Sequence, residues 1–117
     1  MNSTFKSQKN SFEFTVNKRQ ISKKNKTLKS SVLFDKVEIS AQQSVSMYEN
    51  LLDINPKTYE LSFITNAYLN DELIVKNSVK KLNNSVLELS VIVLKKRQKN
   101  DDIICKAKFG YTFKKAS

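Results

Sequence analysis

Histidine and tryptophan are absent from this 117-residue sequence, and glycine, proline and cysteine each occur once. Each scarcity removes a class of chemistry. Without histidine there is no Ser-His-Asp triad, and the commonest general base and metal ligand is gone. One cysteine and no histidine argue against a zinc or other transition-metal site, so no metal is expected. A single glycine, Gly110, excludes a phosphate-binding P-loop and a dinucleotide-binding glycine fingerprint. No run of eighteen apolar residues occurs, so no membrane span is expected. The early lysines are not followed by an apolar region, which argues against a secretory signal. Cys105 has no partner for an internal disulfide, and a reducing cytoplasm is the default compartment.

What remains is a lysine-rich chain of one-domain length with a modest apolar content of 39%. Its net charge of +10 is unevenly spread. Residues 1–31 carry eight Lys/Arg against one acid, residues 32–75 two against seven, and residues 76–117 eleven against three. Basic flanks around an acidic middle suit a polyanionic partner: nucleic acid, a phospholipid surface or a phosphorylated cofactor. They suit a plainly solvated lysine surface equally well.

The stretch Val32–Leu52 is the only long segment with helical period. Val37, Ala41, Val45, Tyr48 and Leu52 recur at spacings of three and four and share one stripe. Ser30 or Ser31 is positioned to cap this helix, and Pro56 to stop it. Residues 1–10 read as a frayed N-terminus and 11–117 as a single domain. Phe12, Phe14 and Val16 alternate with polar residues as a first strand. The basic, aperiodic RQISKKNKTLKSS reads as a loop approaching the helix.

After the helix the alternation is that of strands. Tyr59, Leu61, Phe63 and Thr65 mark one, and Leu73, Val75, Asn77 and Val79 the next. Leu69-Asn70-Asp71 forms the turn between them, with Asn70 suited to a left-handed conformation. Asn83-Asn84 turns the chain again. Leu87, Leu89, Val91 and Val93 then face one way, and Lys99–Asp102 forms a polar turn. Ile103, Cys105, Ala107, Phe109, Tyr111 and Phe113 point inward on the last strand. One helix packed by these inner faces gives an α+β domain.

Three stretches make this order similar to the hotdog fold of acyl-CoA thioesterases and 3-hydroxyacyl-ACP dehydratases. SVLFDKVEISAQQ resembles the start of the family's central helix, where a catalytic Asp or Glu stands; here that position holds Glu38. ELSFITNAYLNDELIVKNSVKKLNNSVLELSVIV is similar to its strand and turn pattern, with Asn70-Asp71 at a Gly-Asp turn and Asn84-Ser85 at a short polar turn. IICKAKFGYTF resembles its closing strand. The resemblance covers roughly residues 11–114. It implies one long central helix wrapped by an antiparallel sheet of about five strands, and dimerisation with the two sheets joined edge to edge. It also implies an acyl tunnel between protomers.

The resemblance implies an acyl-thioester substrate, CoA- or ACP-linked, with no bound cofactor beyond the CoA or phosphopantetheine of the substrate. Glu38 would serve as base or nucleophile. Gln42, one turn later on the same face, would orient the carboxylate or bind a thioester oxygen. Asn25 lies in the loop where some thioesterases carry a polar active-site residue. Lys80, Lys81, Lys95, Lys96 and Arg97 fall near strand ends, where such proteins meet CoA or carrier-protein phosphates. The ordinary alternatives are an exposed helix acid, a helix glutamine and solvated strand ends. Tyr48 reads as core or dimer interface, and Cys105 as a core thiol.

Two features depart from the family. The thioesterases approach the helix through a glycine-rich segment, replaced here by Leu28-Lys29-Ser30-Ser31. Glu38-Ile39-Ser40-Ala41-Gln42 matches the dehydratases' Glu-x-x-Ala-Gln signature, yet their histidine is missing. A dehydratase-like subunit working with a histidine-bearing hotdog partner is therefore the second reading. The third is a basic nucleic-acid-binding module with aromatics exposed for stacking, disfavoured because Phe109, Tyr111 and Phe113 are expected to face inward.

Overall fold

The structure is a computed structural model that describes residues 10–48, 50–53, 55–97 and 100–114. The frayed N-terminus expected over residues 1–10, apart from Asn10, lies outside the described residues, as does Lys99 of the last turn. Five strands and one α-helix follow in the expected order: β1 (Asn10–Thr15), α1 (Ser30–Val45), β2 (Thr58–Phe63), β3 (Glu72–Leu82), β4 (Val86–Lys95) and β5 (Asp102–Thr112). The strands form one antiparallel sheet in the order β1-β3-β4-β5-β2. Helix α1 lies on its inner face, packed against β1, β3 and β4.

Alternation explains most of the core. Leu73 and Val75 of β3 and Leu87, Leu89, Val91 and Val93 of β4 are buried beneath the helix, as are Cys105, Ala107, Phe109 and Tyr111 of β5. The start of β5 departs from the expected pattern. Val93 pairs with Cys105 but Leu94 pairs with Ile103, so Ile104 is the extra residue of a β-bulge. The bulge swings Ile104 inward to full burial and leaves Ile103 half-buried, the reverse of strict alternation. The Ile104 carbonyl then accepts the backbone N–H groups of Ile64 and Thr65 at 2.8 and 3.2 Å. Those bonds hold the chain leaving β2 against β5.

The helix is shorter than its hydrophobic stripe suggests. It ends at Val45, passes into a 3-10 turn over Ser46–Tyr48, and stops well before Pro56. Leu52 is buried because it bridges Phe113 at the end of β5, not because it continues the helix. Tyr48 is half-buried, with its ring edge-on to Phe113 at 6.1 Å. At the other end Lys29 is the N-cap, extended and without a side-chain cap bond. Ser30 and Ser31, expected as caps, are instead the first two helical residues, because Lys29 already accepts the N–H groups of Val32 and Leu33.

The buried face of α1 is Leu33, Val37, Ser40, Ala41 and Ser44, so two serines sit where a simple stripe would put aliphatics. Buried Asn77 of β3 satisfies them. Its Nδ2 donates to the Ser40 carbonyl and hydroxyl, both at 2.8 Å, and its Oδ1 accepts from Ser44 Oγ at 2.7 Å. This three-residue clamp fixes the helix on the sheet. Asn77→Ala removes three buried hydrogen bonds between helix and sheet and is expected to lower the unfolding free energy by about 2–4 kcal/mol, measured by urea denaturation.

The segment between β1 and α1 is more ordered than its aperiodic sequence implies. It contains a 3-10 turn at Lys18–Gln20 with an Asn17–Gln20 capping box. Ile21 bridges Leu28, Thr27 bridges Tyr68, and Leu28 N–H donates to the Ala67 carbonyl at 2.8 Å. Asn70 adopts the left-handed conformation expected of it, at φ 72°. Gly110, the lone glycine, lies in β5 opposite Thr58 of β2. A Cβ there would come within 2.3 Å of Thr58 Oγ1.

Candidate active site

The two sides of α1 differ. On one side Lys36 lies over the Phe14 ring at 4.8 Å and closes the helix onto β1. On the other, Phe34, Glu38 and Gln42 succeed one another at single-turn spacing and face the β5–β2 end of the sheet. A cleft of about 410 Å³ opens there, lined by Glu38, Gln42, Val45, Asp53, Phe109 and Tyr111 among others. Four rings run in sequence along this flank. Phe34 meets Tyr59 edge-on at 5.8 Å, Tyr59 lies 4.8 Å from Phe109, and Phe109 stacks with Tyr111 at 6.3 Å.

Glu38 is half-buried in this setting, and its carboxylate bonds to no described residue. Gln42 is exposed and equally unbonded. The Glu38 charge acts on two phenols. Burial, and then Glu38, raise the Tyr111 pKa; burial, Glu38 and then Cys105 raise that of Tyr59. Both rings therefore stay protonated donors at neutral pH. Cys105 is fully buried, and desolvation pushes its thiol up to about 11, so it is a core residue and not a nucleophile.

Asn25 is elsewhere. It lines a larger cleft, about 880 Å³, with Ser22, Lys29, Ser30, Ser31 and the apolar Phe63 and Ile64. The first N–H groups of α1, those of Ser30 and Ser31, lie on this cleft and have no backbone partner among the described residues. Glu38 is eight residues further along the helix, roughly 12 Å by helical rise. The chain thus holds Glu38 with Gln42 in one cleft, and Asn25 with the helix start in another.

The five basic candidates do not form one patch. Lys80 and Lys81 are exposed near the β3–β4 turn, whereas Lys95, Lys96 and Arg97 are at the far end of β4. Leu89, opposite Val79, and Lys95 are six residues apart, roughly 20 Å along the strand. The second group is already paired. Lys95, 8% exposed, contacts Asp71 at 3.0 Å and lies 5.3 Å from the Tyr68 ring centroid. Lys96 reaches Glu13 at 3.0 Å, and the hydrogen bond to Glu13 raises its pKa; Arg97 pairs with Asp102. Lys80 and Lys81 have no ion pair among the described residues.

Sequence reasoning did not single out the aromatic wall or Asp53. Alternation does put Phe109 and Tyr111 on the helix side, but nothing local says that the helix leaves this flank open. Asp53 is held by the end of β5: Thr112 Oγ1 donates to its Oδ2 at 3.0 Å, and its own N–H donates to the Thr112 carbonyl. Edge strand β2 is similarly uncovered. Among the described residues it pairs only with β5, and its helix-side residues Tyr59 and Phe63 are 39% and 54% exposed. Among the described residues no helix is long and apolar enough to cross a membrane.

No protein-family model and no curated protein matches the chain. Solved structures do. A hypothetical thioesterase from Streptococcus pneumoniae TIGR4, solved with coenzyme A, is 16% identical over 89% of this chain and 77% of its own, with a TM-score of 0.70. Zebra fish thioesterase superfamily member 2 gives 0.75 at 12% identity, covering 89% of this chain and 73% of that one. A hexameric thioesterase from Yersinia pestis gives 0.70 at 14% identity over 86% and 83%. The fold is the hotdog fold that these thioesterase structures have, as the sequence resemblance implied.

Proposed function

We propose that this chain hydrolyses acyl thioesters, carried by CoA or by the phosphopantetheine of a carrier protein, in a site completed by a second copy of itself. The observation that carries the reading is the unbonded, half-buried carboxylate of Glu38 on the central helix, in an aromatic-walled cleft. Such a carboxylate has two routes. It takes a proton from a water attacking the thioester carbonyl, or it attacks the carbonyl itself and forms an anhydride that water then opens. Either way the C–S bond breaks and the thiolate leaves.

The developing oxyanion needs preorganised donors, and the free N–H groups of Ser30 and Ser31 at the positive end of α1 are suited to it. Within one protomer they are too far from Glu38 to act on the same thioester carbonyl. The unpaired edge of β2, with Tyr59 and Phe63 exposed beside it, supports pairing with a second copy there. In that dimer, Glu38 and Gln42 of one protomer would face Asn25 and the helix start of its partner. Lys80 and Lys81, in no ion pair among the described residues, are the side chains suited to CoA or carrier phosphates.

A second reading keeps its specific support. Glu38, Ala41 and Gln42 retain the Glu-x-x-Ala-Gln pattern in a chain without histidine, as expected of a dehydratase-like subunit whose partner supplies one. The test is the native mass and composition of the purified protein, followed by an acyl-CoA panel. A homodimer that releases free CoA supports the hydrolase. An inactive homodimer, or a complex with a histidine-bearing hotdog chain that hydrates or dehydrates its substrate, overturns it.

A further inference from the structure

The Glu38 cleft contains a polar group that the proposed hydrolysis does not use. Tyr111 is 4% exposed, yet its hydroxyl bonds to no described residue. No polar side-chain atom among the described residues is both sealed from solvent and unpartnered. The phenol oxygen is therefore not sealed from solvent, and Tyr111 lines the cleft. Gln42, also unbonded, borders the same cleft one helical turn beyond Glu38, roughly 6 Å along the axis. Asp53 lines the wall, with one carboxylate oxygen accepting from Thr112.

A fully hydrocarbon acyl chain lying in this cleft would cover the Tyr111 phenol and strand it without a partner, which is costly in a dry site. We infer that the cleft takes acyl groups bearing an oxygen a few carbons from the thioester, with Tyr111 and Gln42 as the residues that recognise it. The inference rests on the Glu38 cleft being an acyl-thioester site. With the thioester carbon at Glu38, the chain runs along α1 toward Val45, and its third to fifth carbons pass Gln42 and Tyr111. A hydroxyl there accepts from the Tyr111 phenol and donates to the Gln42 carbonyl oxygen; a keto oxygen accepts from the phenol and the Gln42 amide. Burial and the Glu38 charge both favour the neutral phenol, so it remains a donor through neutral pH.

The test compares octanoyl-CoA with hydroxyoctanoyl-CoA thioesters carrying the hydroxyl on the third or the fifth carbon, using wild type and Tyr111→Phe. The substitution keeps the ring and its stacking on Phe109, and an unchanged thermal midpoint verifies the fold. Wild type is expected to favour one hydroxylated substrate over octanoyl-CoA about tenfold in kcat/KM, a preference Tyr111→Phe abolishes. Equal rates on all three substrates with wild type, or a preference that survives in Tyr111→Phe, overturn the inference and leave the hydrolase reading standing. No hydrolysis of any thioester by wild type overturns both.

Discussion

Glu38→Gln is expected to lower kcat on an acyl-CoA substrate about a hundred- to ten-thousandfold while leaving the thermal midpoint within a degree or two of wild type. The kinetic half follows from what the amide lacks. Glutamine matches glutamate in shape but neither takes a proton from water nor attacks a carbonyl. General-base catalysis by a positioned side chain contributes about 10²–10⁴ in rate, and a covalent route would lose at least as much. The stability half follows from the surroundings. The Glu38 carboxylate bonds to no described residue, so its removal leaves no donor stranded. The change also removes a charge from beside Tyr59 and Tyr111. The split in kinetic constants adds a check. A base acting in the transition state lowers kcat and kcat/KM together, whereas a carboxylate that only binds substrate raises KM. A Glu38→Gln enzyme with wild-type kcat would remove the catalytic assignment outright.

The outline of this molecule was legible because its strands obey a simple rule. Leu87, Leu89, Val91 and Val93 alternate on β4 as period two requires, and Asn70 turns where its short polar side chain permits. The errors fall where tertiary contacts override local pattern. Ile104 is inward only because a bulge forms against β4, and no property of the dipeptide Ile103-Ile104 says which isoleucine it selects. Leu52 keeps the helical period but is buried by a bridge to Phe113, more than sixty residues on in the chain. Ser40 and Ser44 break the apolar stripe, and Asn77, far away in sequence, meets them across the core. The site divides the same way. Glu38 and Gln42 were recognisable as a pair because four residues make one turn. The separation of Asn25 from them, and the neutralisation of Lys95 by Asp71, depend on which side of α1 and which end of β4 the chain has reached.

Phe63→Asp is expected to convert a dimer into a monomer and to abolish thioester hydrolysis without unfolding the protomer. The side chain is 54% exposed on the helix side of edge strand β2, so a carboxylate there is solvated in an isolated protomer and costs little. In a dimer paired through β2, two-fold symmetry brings the same substitution in twice, and each carboxylate loses water on association. An unpaired buried charge costs several kcal/mol, enough to weaken a modest interface by orders of magnitude. Activity falls with mass because Glu38 and the N–H groups of Ser30 and Ser31 are held in separate clefts of one protomer. Leu82→Asp is the control: Leu82 is 49% exposed at the end of β3, away from β2, and its substitution should change neither mass nor rate. Light scattering and an acyl-CoA assay on the two variants separate the cases. Monomeric and inactive Phe63→Asp beside dimeric and active Leu82→Asp is the pattern of a site shared across β2. A Phe63→Asp protein that is monomeric yet fully active would mean that one protomer carries the whole reaction, and the oxyanion donors would then have to be sought near Glu38 itself, with the Tyr59 and Tyr111 phenols the nearest choices.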